Sequence, residues 1–225
     1  SWAVIAAVIV LTFGPRVGLG TTGYLVAAAY ALLLLLSVLV HEAGHAIAAR
    51  ALGGRVDRIV ANLWGGHTVF GGAHERPRTS ALVAVAGPLG NVALAVLGWW
   101  GSSVLSAPIP GLLAGALAYS NLLVAVFNLL PGLPLDGGFL VEAAVWGATG
   151  SRGRGMLVAG LVLVALFLLM AALAPWVAPY SYNALSGPDG DFGARQAPSL
   201  AHPFGTTIAG YDVLSRVIWG SRTAS

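Results

Sequence analysis

The sequence predicts an all-α polytopic membrane protein with about five transmembrane helices, a short membrane-associated β-hairpin and an irregular C-terminal tail. Composition is the first reason. Of the 225 residues, 57% are hydrophobic and only 8% are charged, whereas a soluble domain carries about 25% charged residues. So much apolar sequence cannot be hidden inside a soluble core of this size, so a lipid bilayer is the expected surrounding.

The lengths of the apolar runs are the second reason. A helix needs about 20 apolar residues to cross the hydrocarbon core. The first run is the shortest, but no basic segment precedes it, so it is interpreted as a membrane span and not as a signal peptide. The five runs lie at 2–13, 24–49, 81–105, 111–130 and 156–174.

The arginines predict the orientation of these helices. All eleven basic residues are Arg, and seven of them lie in the connections 50–80 and 131–155. The positive-inside rule therefore predicts that these two connections are cytoplasmic and that the tail after residue 174 is extracytoplasmic. Because the arginines lie in short loops and not on one face, no nucleic-acid partner is predicted.

Two segments between or after the apolar runs are not typical of transmembrane helices. RIVANLWGGHTVFGG at 58–72 alternates loosely and contains glycine pairs, which predicts a β-hairpin at the membrane with its backbone groups paired. From Pro175 the chain is rich in Pro, Gly and Ser, which predicts an irregular tail in which His202 is solvated.

The stretch VLVHEAGHAIAAR at 38–50 carries the most informative polar residues. On a helix, His41 and His45 lie on one face with Glu42 beside them. Two imidazoles at this spacing can hold Zn²⁺ while the carboxylate takes a proton from water and later delivers it to a leaving amine. The alternative is a chance pattern, which is less common inside a membrane span because ionisable groups there are costly and usually functional.

A catalytic zinc site needs a third protein ligand, and Asp136 is the favoured candidate. It lies in NLLPGLPLDGG at 128–138, where two prolines end an apolar helix and two glycines follow the aspartate. By the predicted topology, Asp136 and the two histidines all lie near the cytoplasmic surface. His41 is about 13 Å from Arg50 along the helix axis, which places the site in the inner part of the membrane. Glu142 and His67 remain alternative ligands, although Glu142 is expected to pair with Arg152 or Arg154, and His67 and His74 to be interfacial polar residues.

Three motifs in this order resemble the site-2 protease family of intramembrane zinc metalloproteases. They are HEAGH at 41–45, AGPLGN at 86–91 and NLLPGLPLDGG at 128–138, and the resemblance covers about residues 1–155. It implies an enzyme of the bacterial inner membrane with its active site toward the cytoplasm. Its substrates would be membrane-spanning proteins, such as anti-sigma factors or other membrane-anchored regulators, whose unwound segment pairs with the hairpin.

The same resemblance implies the roles of individual residues. His41, His45 and Asp136 would bind one Zn²⁺ per chain, and Glu42 would be the catalytic base. Asn128 matches an asparagine of the family motif whose side-chain amide could polarise the substrate carbonyl.

The tail from about residue 160 resembles the N-terminal part of a dipeptide/oligopeptide ABC-transporter permease. HPFGTTIAGYDVLSRVIWGSR at 202–222 is similar to a permease motif, with Thr207 in place of an aspartate and Tyr211 in place of an arginine. No coupling loop for an ATPase is recognised, so no transport function is predicted.

These observations predict three parts: a metalloprotease core at 1–155, a last transmembrane helix at 156–174 and an extracytoplasmic permease-like tail at 175–225. The alternatives to a protease are a catalytically inactive membrane scaffold or fusion, and a fragment of a permease. Zinc content and substrate cleavage distinguish them.

Overall fold

The computed structural model of the protein describes residues 2–62, 65–71, 76–187 and 190–223. The chain divides into two compact units, Ser1–Gly160 and Leu161–Ser225. The first unit contains helix α1 (Trp2–Phe13), a 3-10 turn (Gly14–Val17), α2 (Thr21–Ala51), strands β1 (Arg55–Asn62) and β2 (Gly65–Gly71), α3 (Pro77–Val104), α4 (Pro108–Asn128), α5 (Asp136–Thr149) and the start of α6 (Arg152–Val177).

Four of the described helices, α2, α3, α4 and α6, are long and apolar enough to cross a membrane, and a shorter apolar segment occupies Trp2–Val17. Each predicted apolar run thus corresponds to a helix. Together with the hairpin, this confirms the predicted class, a multi-pass helical membrane protein.

Helices α2, α3 and α4 pack closely because glycines leave room between them. A methyl group built on Gly44 of α2 would lie 2.5 Å from the Ala86 carbonyl oxygen of α3, and one on Gly98 of α3 would lie 2.7 Å from the Ala114 carbonyl oxygen of α4. Small residues at such crossings let helix backbones approach in a membrane. Helix α3 therefore packs against both α2 and α4, and it also packs against α5.

Helix α5 was not predicted as a helix, because its segment was interpreted as a connection between two spans. It begins at Asp136, directly after the proline-rich turn, and runs for 14 residues. Gly137 and Gly138 both have negative φ angles, so they do not serve an unusual backbone conformation. They instead allow the start of α5 to pack closely against the preceding turn, since a methyl group on Gly138 would lie 2.6 Å from the Gly132 carbonyl oxygen.

The predicted hairpin is present as an antiparallel pair. Strand β1 pairs with β2 from Arg55 opposite Gly71 to Asn62 opposite Gly65, with an irregularity between Val56 and Arg58. Both strands lie against α2, the helix that carries the HEAGH motif.

The second unit is less irregular than predicted. It contains the rest of α6, a short antiparallel pair, β3 (Ser186–Gly187) with β4 (Gly190–Asp191), and an unpredicted helix α7 (Val213–Thr223). The prediction that His202 is solvated is wrong. Its side chain is buried and its Nδ1 lies 2.9 Å from Asp212 Oδ1. Asp212 also accepts the Ser215 backbone N–H, so one carboxylate fixes His202 and caps the start of α7.

Candidate metal centre

His41, Glu42 and His45 lie on the buried face of α2. Their exposed fractions are 8%, 4% and 7%, and from Ser37 to Ala49 the buried positions of α2 recur every three or four residues. The chain therefore buries three ionisable groups inside a helix long enough to span the membrane. Burial of such groups is costly unless they are paired or bind a metal.

Asp136 reaches this face of α2 from the first position of α5. Its Oδ2 lies 3.2 Å from His41 Nε2, and its Oδ1 lies 3.3 Å from His45 Nε2. The two Nε2 atoms are 3.0 Å apart. The structure thus brings together the three residues that sequence reasoning selected, although Asp136 is more than 90 positions along the chain from the histidines.

The other ring nitrogen of each histidine is held by α3. His45 Nδ1 lies 2.7 Å from the Val83 carbonyl oxygen, and His41 Nδ1 lies 2.6 Å from Asn91 Oδ1. A carbonyl oxygen only accepts hydrogen bonds, so His45 Nδ1 carries the hydrogen. His41 Nδ1 carries its hydrogen for the same reason, because it faces the side-chain oxygen of Asn91. In the neutral rings, both Nε2 atoms then present lone pairs.

The lone pairs of the two Nε2 atoms and the Asp136 carboxylate therefore point toward one another. None of these three groups can donate a hydrogen bond to another. The carboxyl group of an aspartate such as Asp136 is ordinarily ionised at neutral pH. Its Oδ2 is buried and accepts no hydrogen bond within the described part of the chain, so a cation is the partner that would satisfy all three groups.

The separations of the three groups suit zinc. Tetrahedral bonds of about 2.0–2.1 Å place neighbouring ligand atoms about 3.3 Å apart, close to the observed 3.0, 3.2 and 3.3 Å. His41, His45 and Asp136 form the one group of this kind found among the described residues. Two imidazoles and one carboxylate leave a tetrahedral position open, as catalytic zinc sites do.

Gly87 provides the space in which the two imidazoles lie. A methyl group built on it would lie 2.6 Å from His45 Cε1 and 2.8 Å from His41 Cε1. A side chain at this position would therefore displace the rings or the ion they can hold. In the sequence analysis Gly87 appears only as part of the AGPLGN motif, without a link to the metal ligands.

Comparison with known proteins agrees with this geometry. Residues 29–113 and 107–172 match the model of peptidase family M50, which covers more than half of the chain. The chain belongs to peptidase family M50.

Relatives of this M50 chain carry names that point to the same metal. A protein of Synechocystis named as a zinc metalloprotease is 36% identical over 169 residues, which are 72% of this chain and 44% of that protein. The protein Rip3 of Mycobacterium tuberculosis, also named as a zinc metalloprotease, is 38% identical over 192 residues, 79% of this chain and 49% of Rip3. This chain thus spans about half the length of these relatives.

The fold of the M50 chain also matches a solved structure. The site-2 protease from Methanocaldococcus jannaschii superposes with a TM-score of 0.57 at 22% identity, over 76% of each chain. A separate match covers residues 154–201, which fit the model of the N-terminal TM domain of oligopeptide transport permease C. Both resemblances inferred from the sequence motifs are therefore confirmed.

The remaining predicted residues of the M50 chain lie in different surroundings. Asn128 is half-buried at the end of α4, and its amide donates to the Val124 carbonyl oxygen at 3.0 Å. Glu142 is fully buried and accepts a hydrogen bond of 2.7 Å from Arg152 Nε, which confirms the predicted ion pair and engages it away from the metal group. The side chain of His67 and the whole of His74 lie outside the described residues.

Sequence reasoning missed two asparagines that support the site. Asn91 and Asn121 are both fully buried, on α3 and α4. A usable signal was present, because each lies inside a long apolar run where a polar side chain is costly without a partner. The sequence does not show which groups partner them, since those groups lie 30 or more positions away.

Proposed function

We propose that this chain is an intramembrane zinc endopeptidase that hydrolyses peptide bonds in membrane-spanning segments of other proteins. The observation that supports this proposal is the convergence of two imidazole Nε2 lone pairs on the Asp136 carboxylate. That group is built into a helix long enough to cross a membrane.

In this proposal His41, His45 and Asp136 hold one Zn²⁺. When bound, zinc supplies a Lewis acid that makes water nucleophilic near neutral pH and polarises a peptide carbonyl. The chain's contribution is to fix the ligands. Both imidazoles are locked through Nδ1 to groups of α3, and the carboxylate enters from the first turn of α5.

Glu42 is the proposed general base. It is adjacent to His41 in the same turn of α2, and its exposed fraction is 4%. It would accept a proton from the attacking water and deliver it to the amine nitrogen as the peptide bond breaks. The carboxyl group ends the cycle in its starting state, because it gains and loses one proton.

Asn128 is proposed to donate a hydrogen bond to the carbonyl oxygen of the bond being cleaved. One N–H of its side-chain amide donates a hydrogen bond to the Val124 carbonyl oxygen. A primary amide has a second N–H, which is the proposed donor to the substrate. The residue is half-buried at the end of α4, and the turn after α4 leads to Asp136. A donor here would stabilise negative charge on the carbonyl oxygen during attack.

The hairpin is the proposed binding element for an unwound substrate. A two-stranded sheet uses one edge of each strand for its own ladder, and an extended peptide can add to a remaining edge. Proteolysis needs an extended segment, because a helix shields its peptide bonds. Strands β1 and β2 lie against α2, so an added strand would be near the helix of the metal ligands. Membrane-anchored regulators, including anti-sigma factors, are the proposed substrates.

Metal content and cleavage test this proposal together. The full chain, purified in detergent and reconstituted in liposomes, is expected to contain about one zinc per chain, because one three-ligand group is present. It is expected to cleave reconstituted single-span peptides that contain helix-destabilising residues, and to lose this activity on chelation and regain it with zinc. A chain that binds no zinc, or that binds zinc and cleaves no member of such a set, contradicts the proposal.

We infer that the metal group faces the cytoplasmic half of the bacterial inner membrane. The basis is the excess of arginine in the connections after α2 and around α5. Since the chain has no cysteine, single cysteines report topology without background. Ser186→Cys, at an exposed position, is expected to react with an impermeant maleimide in intact spheroplasts. Ala148→Cys, exposed on α5, is expected to react only after permeabilisation. The reverse pattern would invert the orientation.

The functional division into a protease core at 1–155, a last span at 156–174 and an extracytoplasmic tail at 175–225 also remains a proposal. The match of residues 154–201 to a permease domain favours a second candidate function, a contribution to peptide transport. Uptake of labelled dipeptides by cells that express the chain distinguishes the two, because Glu42→Gln would abolish proteolysis and leave uptake unchanged.

A further inference from the structure

A chain of buried hydrogen bonds connects His41 to helix α4. Asn91 Oδ1 lies 2.6 Å from His41 Nδ1, and Asn91 Nδ2 donates to Asn121 Oδ1 at 2.7 Å. Asn121 Nδ2 in turn donates to Ser37 Oγ and to the Leu117 carbonyl oxygen, both at 2.9 Å. Both asparagines are fully buried. The chain therefore links α2, α3 and α4 at one level of the membrane-spanning region.

The contact between Asn121 and Leu117 decides which group donates in every hydrogen bond of this network. A backbone carbonyl only accepts, so the contact with Leu117 assigns the Asn121 side-chain nitrogen and turns its oxygen toward Asn91. That oxygen can accept only from the Asn91 amide nitrogen, so Asn91 presents its own oxygen to His41. His41 Nδ1 is then the protonated nitrogen, and Nε2 keeps the lone pair that faces Asp136.

We propose that Asn121 is a positioning residue of the metal centre, and that its function is to orient the Asn91 amide and thereby fix the tautomer of His41. An amide has a donor end and an acceptor end of nearly the same shape, and a rotation by half a turn exchanges them. If Asn91 presented its nitrogen to His41, the ring would keep its hydrogen on Nε2 and could not bind a metal there. Asn121 makes that rotation unfavourable, because the two amide oxygens, both acceptors, would then face each other.

This inference rests on the proposed function to the extent that His41 is a zinc ligand, and a double-mutant cycle on zinc affinity tests it. Asn121→Leu removes the orienting oxygen with little change in volume. It is expected to weaken zinc binding by about 10–100-fold, the usual cost of losing a group that orients a metal ligand. The readout is competition with a chelator on the full chain in detergent.

The second arm of the cycle is Asn91→Asp. An ionised carboxylate accepts at both ends, so it holds His41 Nδ1–H in either rotation and needs no orienting partner, while its other oxygen would face the Asn121 oxygen. In this background, Asn121→Leu removes that facing acceptor and is expected not to weaken zinc binding. Nitrogen-15 spectra of histidine-labelled, metal-free protein are expected to show the Nδ1–H tautomer of His41 in the wild type and its loss in Asn121→Leu alone.

Tyr30→Phe is the matched control. It removes another hydrogen bond between α2 and α4, that of Tyr30 Oη with Ser120 Oγ at 2.5 Å, and is expected to leave zinc affinity unchanged. An equal loss from Asn121→Leu in both backgrounds, or no loss in the wild-type background, would overturn the inference. Where the leucine variant does not fold, Asn121→Asp keeps the acceptor for Asn91, so its retention of zinc is the expected result and a loss above tenfold overturns the proposal.

The outcomes also separate this inference from the proposed function. A wild type that binds zinc with an affinity independent of Asn121 overturns the inference alone. A wild type that binds no zinc overturns the proposed function and the inference together.

Discussion

Replacing Glu42 by glutamine is expected to abolish peptide hydrolysis while zinc remains bound. The substitution keeps the size of the side chain and removes its ability to take a proton from water. General acid–base catalysis contributes about 10²–10⁴-fold, so the rate of cleavage is expected to fall by that factor. Zinc is expected to remain at wild-type stoichiometry, because His41, His45 and Asp136 are unchanged. Zinc analysis and cleavage of a reconstituted single-span peptide measure the two properties on one sample.

Asp191→Asn is a suitable control for Glu42→Gln. It also exchanges an acid for its amide, but at an exposed position in the second unit, and no effect on either property is expected. If Glu42→Gln kept its activity, water activation by this residue would be wrong. If it lost zinc along with activity, Glu42 would be a ligand or a structural support and not a base.

Replacing Asp136 by alanine is expected to remove the metal and, with it, the activity. The change deletes one of the three proposed ligands and would leave two imidazoles to hold the ion. Loss of a group that only orients a ligand costs about 10–100-fold in affinity, and loss of the ligand itself is expected to cost at least the upper end of this range. Chelator competition measures the affinity, and the residual cleavage rate is expected to follow the fraction of zinc-loaded protein.

Glu142→Gln separates a general effect of removing a carboxylate near α5 from the loss of a ligand. Glu142 lies on the same helix and is paired with Arg152, so this variant is expected to lose stability but to retain zinc when folded. If Asp136→Ala kept its full zinc content and full activity, Asp136 would be a residue of the turn and not a zinc ligand. A zinc loss in Glu142→Gln equal to that in Asp136→Ala would make Glu142 the third ligand.

The parts of this molecule that were predictable from sequence are those encoded locally. The apolar runs specify the long helices, because about 20 consecutive apolar residues have few other stable surroundings than a bilayer. The spacing of His41 and His45 specifies a shared helix face. Helix α5 was missed because its proline and glycine neighbours are typical of a turn, and the role of Gly137 and Gly138 in close packing appears only when the chain folds back on itself.

Contacts between distant segments account for the other omissions. His202 lies in a polar, proline-rich segment, and that composition predicts exposure. It is buried because Asp212 neutralises the cost of burying it and caps α7 at the same time. Asn91 and Asn121 pair across α3 and α4, and no local periodicity indicates which of several polar residues in the apolar runs will meet.

The hydrogen bonds from the two histidines to α3 link the alignment of α2 and α3 to the orientation of both imidazoles. The acceptors Val83 and Asn91 are eight residues apart on α3, and they serve His45 and His41 in reverse order along α2. Both hydrogen bonds can therefore form together only in one register of α3 along α2. A slip of one helical turn, about 5.4 Å, would take the Asn91 oxygen away from His41 and the Val83 carbonyl oxygen away from His45. The position of α3 along α2 is therefore expected to decide how firmly both of the proposed zinc ligands are held.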